Sequence, residues 1–142
     1  MRLALLGGLL LCSCQSVAPT NLGIHDGHLT PCPPTPNCVN SESKVPVQHV
    51  EPLQVKQNAA VTLEKLTAVL KSMPRIRIIQ SDTHYLRAEA TSAVWRFVDD
   101  LEFLVKETTN GVEVRSASRL GHSDLGVNKT RIEHIRTEYD KK

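Results

Sequence analysis

The residues best equipped for chemistry lie in one stretch, Arg115-Ser-Ala-Ser-Arg-Leu-Gly-His-Ser-Asp-Leu-Gly-Val-Asn-Lys-Thr-Arg131. Arg115, Arg119 and Arg131 supply guanidinium groups, and the run from Gly126 to Asn128 reads as a helix start. Guanidinium groups beside the free N–H groups of a helix N-terminus suit a carboxylate or a phosphate. Ser123, Asp124 and Asn128 add a hydroxyl, a carboxylate and an amide to this candidate ligand site. The same stretch offers a second chemistry, because His122 and Ser123 with Asp99 or Asp124 are the residue types of a hydrolase. Adjacent Ser and His do not readily adopt nucleophile–base geometry, however, and the chain has no Gly-x-Ser-x-Gly elbow. A binding or structural module is therefore the first reading and a hydrolase the alternative.

Three acids precede this stretch. Asp99 falls on the core-facing side of a predicted strand, where a carboxylate must be paired or hydrogen-bonded. Ser116, Ser118, His122 and Ser123 are its expected partners, in a buried polar network that pins the loop from Gly121 to Asn128. Glu102 and Arg119, on the outer face, are expected to form an exposed cross-strand ion pair worth at most about 1 kcal/mol. Asp99, Asp100 and Glu102 make a poor metal site, since successive strand residues point to opposite faces. His25, Asp26 and His28 lie in a stretch without period, where ordering three ligands costs entropy and no supporting shell is evident. No metal and no cofactor are expected.

The elements that must position these groups follow from periodicity. Ala59, Leu63, Leu66, Leu70 and Met73 recur at helical spacing, with Asn58 to cap the helix and Pro74 to stop it. Four strands are expected next. Arg75–Gln80 alternates around Ile76 and Ile78, and His84–Thr91 around Leu86, Ala88 and Ala90. From Trp95 the apolar positions are Trp95, Phe97, Leu101, Phe103 and Val105. Asn110-Gly111 predicts a two-residue hairpin turn, a register that opposes Glu102 to Arg119 and Asp99 to His122. A last helix, capped by Asn128, carries Ile132, Ile135 and Tyr139 on one face. The expected fold is a two-layer α+β sandwich, a four-stranded antiparallel sheet with two helices on one face, in the order α-β-β-β-β-α.

Length and composition allow one such domain, residues 31–140, among 142 residues with 40% hydrophobic and 23% charged. Lys plus Arg total 17 against 15 Asp plus Glu, so no charge excess points to nucleic acid. Met-Arg followed by a short leucine-rich run reads as an export signal over residues 1–13. Leu11-Cys12-Ser13-Cys14 resembles a bacterial lipoprotein signal, which implies lipidation at Cys14, palmitate among the acyl chains, and stable membrane anchoring. Residues 14–30, punctuated by Pro and Gly, suit a flexible tether. Gln15 resembles an outer-membrane sorting residue, giving an address in the cell envelope, on the outer membrane and facing the periplasm. Cys32 and Cys38, held by prolines 31, 33, 34 and 36, suit a small disulfide staple in an oxidising compartment. A redox pair is the sharper alternative, though the spacing is not Cys-x-x-Cys.

Three segments, Cys32-Pro-x-x-Pro-Asn-Cys38-Val39, Phe97-x-Asp99-Asp100-x-Glu102-Phe103 and Arg115-Ser-Ala-Ser-Arg119-x-Gly121-x-Ser123-Asp124-x-Gly126-x-Asn128-x-x-Arg131, resemble the signatures of the domain-of-unknown-function 1499 family. The resemblance runs from about Cys32 to Arg136. It implies a bacterial envelope or plastid-type setting and brings no established activity. The partners expected are the membrane, through the lipid anchor, and an anionic small molecule, an envelope polymer or a protein.

Overall fold

In the computed structural model, residues 17–142 are described. Cys14 and the export signal lie outside the described residues. The element order is β1 (Ile24–His25), β2 (His28–Leu29), β3 (Cys38–Asn40), β4 (Leu53–Gln54), α1 (Ala59–Ser72), β5 (Ile76–Ser81), β6 (Tyr85–Thr91), β7 (Val98–Lys106), β8 (Gly111–Ser118) and α2 (Val127–Asp140). β1 and β2 form a two-stranded hairpin. The other strands form a six-stranded sheet in the order β3-β8-β7-β6-β5, with β4 also pairing to β8.

The α+β class and the antiparallel pairing agree with the sequence reading, but the sheet has six strands rather than four. The additions are β3 and β4, of three and two residues. Both pair with the outer edge of β8, so that this edge does not present a long row of unpaired backbone groups. Segments this short carry no measurable alternation, and their pairing to a distant strand creates them. The hairpin β1–β2 likewise stands in a stretch read as tether. Leu29 anchors it in a small cluster with Tyr85 and Leu104, while the Gly23 N–H donates to Glu102 Oε1 at 2.7 Å.

Helix α1 obeys its local signals. Asn58 Oδ1 accepts from the Val61 N–H at 3.0 Å, and the helix ends before Met73 and Pro74. Its buried face, Leu63, Leu66, Val69 and Leu70, joins Ile132, Ile135 and Tyr139 of α2 over one face of the sheet. That face contributes Leu86, Ala88, Leu101, Phe103, Val105, Val112 and Val114. The two helices therefore cover one side of the sheet and leave the other to the N-terminal segment.

Two expectations about the long hairpin need correction. Residues Glu107–Thr109 form a 3-10 turn and Asn110 takes the left-handed conformation, so the connection is longer than a two-residue turn. Val105 pairs with Val112, Glu102 with Arg115 and Asp99 with Ser118. The partner of each residue is thus four positions from the expected one. An even shift leaves every side chain on its expected face, which is why the face assignments survive although the partners change. β7 also starts at Val98, not Trp95. Arg96 has φ +59°, and Ser92 and Phe97 close a tight loop through Ser92 N–H to Phe97 O and Phe97 N–H to Ser92 Oγ. Trp95, expected in the core, is 76% exposed.

Candidate functional site

Loop 119–126 and the first turns of α2 are built on Asn128. This residue is not the cap the sequence suggests: it is the second residue of α2 and is fully buried. The side chain of Asp124 takes over the capping role, accepting from the N–H groups of Gly126 (2.9 Å) and Asn128 (2.8 Å), as a carboxylate at a helix N-terminus does well. The Asn128 amide nitrogen donates to Asp124 Oδ2, Ser118 Oγ and the Asn37 carbonyl. Its oxygen accepts from Ser116 Oγ and from Arg131 Nη1. One amide thus uses both ends, as a buried amide must, and ties α2 to β8 and to the cysteine loop. Asn37 completes the tie by donating to the Gly121 carbonyl at 2.7 Å. The Cys32–Cys38 disulfide holds that loop.

Beside this network is a cavity of about 770 Å³. One wall is polar: Asp99 is buried and its Oδ2 accepts from Arg131 Nη2 at 2.8 Å. Arg131, rather than the expected serines and His122, is the partner that makes a core-side carboxylate tolerable at this position. In the sheet Asp99 stands between Ala90 and Ser118, both of which also line the cavity. Other walls are apolar, from Met73, Pro74 and Ile76 at one side to Phe97, Leu120 and Val127 at the other. Ser123, Asp124 and His134 border the same space. Arg131 spends one donor on Asp99 and one on Asn128, fewer than a guanidinium carries. The arrangement can therefore accept an anionic group at Arg131 and an apolar body along the walls.

The three arginines expected to cluster do not meet. Arg115 and Arg119 are on the other face of the sheet, inside a layer of ion pairs. Glu102, fully buried, accepts from Arg115 Nη1 (3.0 Å), Tyr85 Oη (2.8 Å) and the Gly23 N–H. Arg119 binds Asp100 with two parallel hydrogen bonds of 2.7 Å and also reaches Glu89. Glu89 and Asp100 are cross-strand neighbours, a pairing of like charges that would destabilise the sheet without the guanidinium between them. The exposed Glu102–Arg119 pair expected from the sequence is thus replaced by two buried pairs with exchanged partners. The hydrogen bonds that Arg119 donates to Asp100, offset in part by burial, raise its pKa further above the usual value. Burial pushes the Glu89 carboxyl up, but the hydrogen bonds of Arg77 and Arg119 outweigh it and hold the group below the usual range. Burial and the Glu102 carboxylate raise Tyr85 well above an ordinary phenol.

The hydrolase residues are not assembled. Ser123 Oγ accepts from the Leu125 N–H, and His122 is exposed and does not line the cavity. Among the described residues no hydrogen bond joins His122 to Ser123, Asp99 or Asp124. His28 meets Glu42 and Glu113 at metal-ligand spacing, but Lys106 Nζ contacts both Glu113 and His28. The ammonium supplies the positive charge there.

Asn37, Met73, Phe97 and His134 belong to the site and were not marked as site residues from the sequence. Asn37, between a proline and the second cysteine, had a signal: an amide beside a disulfide is well placed to hold a loop. The others had none, since their roles come from the ends of elements far apart in the chain. A family model described as Protein of unknown function (DUF1499) matches residues 28–139. A search of curated proteins returns no match.

Proposed function

We propose that this chain, which belongs to the family described as Protein of unknown function (DUF1499), is a lipid-anchored envelope protein whose domain binds an amphiphilic acid. The cavity beside Asp99 and Arg131 is the ligand site. The observation that carries this reading is the cavity itself, about 770 Å³, with the Asp99–Arg131 pair set between apolar walls and with Arg75, Asp124, His134 and Glu138 also on its lining. Small-molecule sites have this size and this mixture, apolar lining with a few convergent polar groups. A carboxylate or phosphate at Arg131 leaves the apolar part of the ligand against Met73, Ile76, Phe97, Leu120 and Val127. The envelope address rests on the sequence around Cys14.

A ligand that binds the folded state alone stabilises it by mass action, by about 2.7 kcal/mol at a concentration one hundred times its Kd. Thermal melts of the mature protein against fatty acids, lysophospholipids, peptidoglycan fragments and inorganic anions are expected to show stabilisation by the amphiphilic acids. Arg131→Gln is expected to abolish the shift while the variant still melts cooperatively. Stabilisation that survives Arg131→Gln, or none with any amphiphilic acid, rejects the assignment of this cavity. The address is tested separately: Cys14→Ser is expected to block processing or to release the protein from membranes.

A further inference from the structure

A second groove, of about 610 Å³, lies past the end of β5 and β6 and shares Arg75, Ile76 and Thr91 with the cavity. Arg75, Arg77, Arg96 and Arg119 line it, against a single acid, Glu89. Arg77 and Arg119 are both bound to Glu89. Arg75 and Arg96 are exposed, and among the described residues neither has a side-chain hydrogen bond or an ion pair. Both have φ +59°, a left-handed conformation that a long side chain such as arginine adopts only rarely. The fold thus holds two uncompensated arginines at neighbouring turns.

Beside Arg96 the chain exposes Val94 and Trp95, each at 76%. Tryptophan is the side chain that prefers the membrane–water interface, and arginines near an anionic bilayer are drawn to its phosphates. Val17 and Ala18 also line the groove, so the chain arrives here three residues after Cys14. Three residues span at most about 11 Å when extended. We propose that this end of the domain docks on the anionic surface of a phospholipid bilayer, with Trp95 in the headgroup region and Arg75 and Arg96 on lipid phosphates. The orientation rests on the Cys14 anchor proposed above. It sets the cavity, walled by Ala93 and Phe97 of the same loop, next to the membrane, where an amphiphile enters without crossing water.

Trp95 is the chain's single tryptophan and reports on the contact directly. The mature lipidated protein is reconstituted on vesicles of phosphatidylcholine with and without phosphatidylglycerol, and Trp95 emission is followed with lipids brominated near the ester groups. On the anionic vesicles the emission is expected to shift to the blue and to be quenched. Arg75→Gln and Arg96→Gln, which remove charge and no internal contact, are each expected to weaken the docked state about fivefold, and added salt to weaken it further. Protein that floats with the vesicles while Trp95 stays water-exposed overturns the proposal, as does docking indifferent to both substitutions. Processed protein that does not float at all refutes the anchor instead. Unlipidated protein added to the same vesicles then decides the surface: arginine-dependent quenching supports it, and no quenching overturns it.

Discussion

The two faces of the sheet solve the same problem, burying a strand of alternating polarity on both sides, by opposite means. Under the helices the sheet presents Leu101, Phe103, Val112 and Val114, and its acid, Asp99, stands at the end of the strand where the cavity begins. On the other face Glu102, Asp100, Glu113 and Arg115 are buried at mid-sheet under a hairpin from the N-terminal segment. Among the described residues the first face holds one ion pair, bordering the cavity, and the second holds a layer of them with the buried Glu102–Arg115 pair at its centre. Buried pairs contribute little net stability over an apolar replacement but cost a great deal when half-removed. The buried Glu102–Arg115 pair is therefore a structural part, and the Asp99–Arg131 pair is placed to exchange partners with a ligand in the cavity.

The sharpest way to break this contrast is to remove one acid from each face. Glu102→Ala leaves Arg115 and Tyr85 without their acceptor in a dry environment and is expected to cost about 3–5 kcal/mol in denaturant melts. Replacing Glu102 and Arg115 together by Met and Leu removes the stranded guanidinium but not the stranded Tyr85 hydroxyl and Gly23 N–H, and is expected to recover only part of that loss. Asp99→Ala strands only Arg131, which water at the cavity reaches, and is expected to cost about 1–3 kcal/mol. Equal losses for Glu102→Ala and Asp99→Ala would mean that the cavity side is as sealed as the other face. The smallest effect expected is in the acid limb of stability. Because the folded-state pKa of Glu89 is lowered, its contribution is complete above the ordinary value near pH 4.5 and is lost as pH falls through the lower folded value. Glu89→Gln is expected to flatten that limb in melts taken from pH 5 downward, roughly the range in which carboxylates titrate. An unchanged limb would show that Glu89 is not held as its two arginine contacts imply.

Much of the fold was legible in the residues, and less of the site. Asn58 and Pro74 bound α1, the apolar face of α2 is the one its spacing predicts, and Asp99 was marked as a core-side acid in need of a partner. The partner was misread because the 3-10 turn at Glu107–Thr109 moves the hairpin register by four, and because Arg131 reaches Asp99 from a helix rather than from the neighbouring strand. The arginines of the stretch from Arg115 to Arg131 read as one cluster in sequence, yet strand alternation sends Arg115 to the face away from the helices, and Arg119 past the end of β8 follows it.

The sequence by itself determined what is local. Turn and cap residues act within a few positions, and helical or strand period fixes which side chains share a face, an assignment that an even register shift cannot alter. Only the tertiary structure decided which acid meets which arginine, that β3, β4 and the N-terminal hairpin complete the sheet and cover its polar face, and that the ends of α1, β6 and α2 enclose a cavity. Those outcomes depend on contacts between residues tens of positions apart, where the free energy comes from desolvation and pairing in three dimensions and leaves no period in the chain.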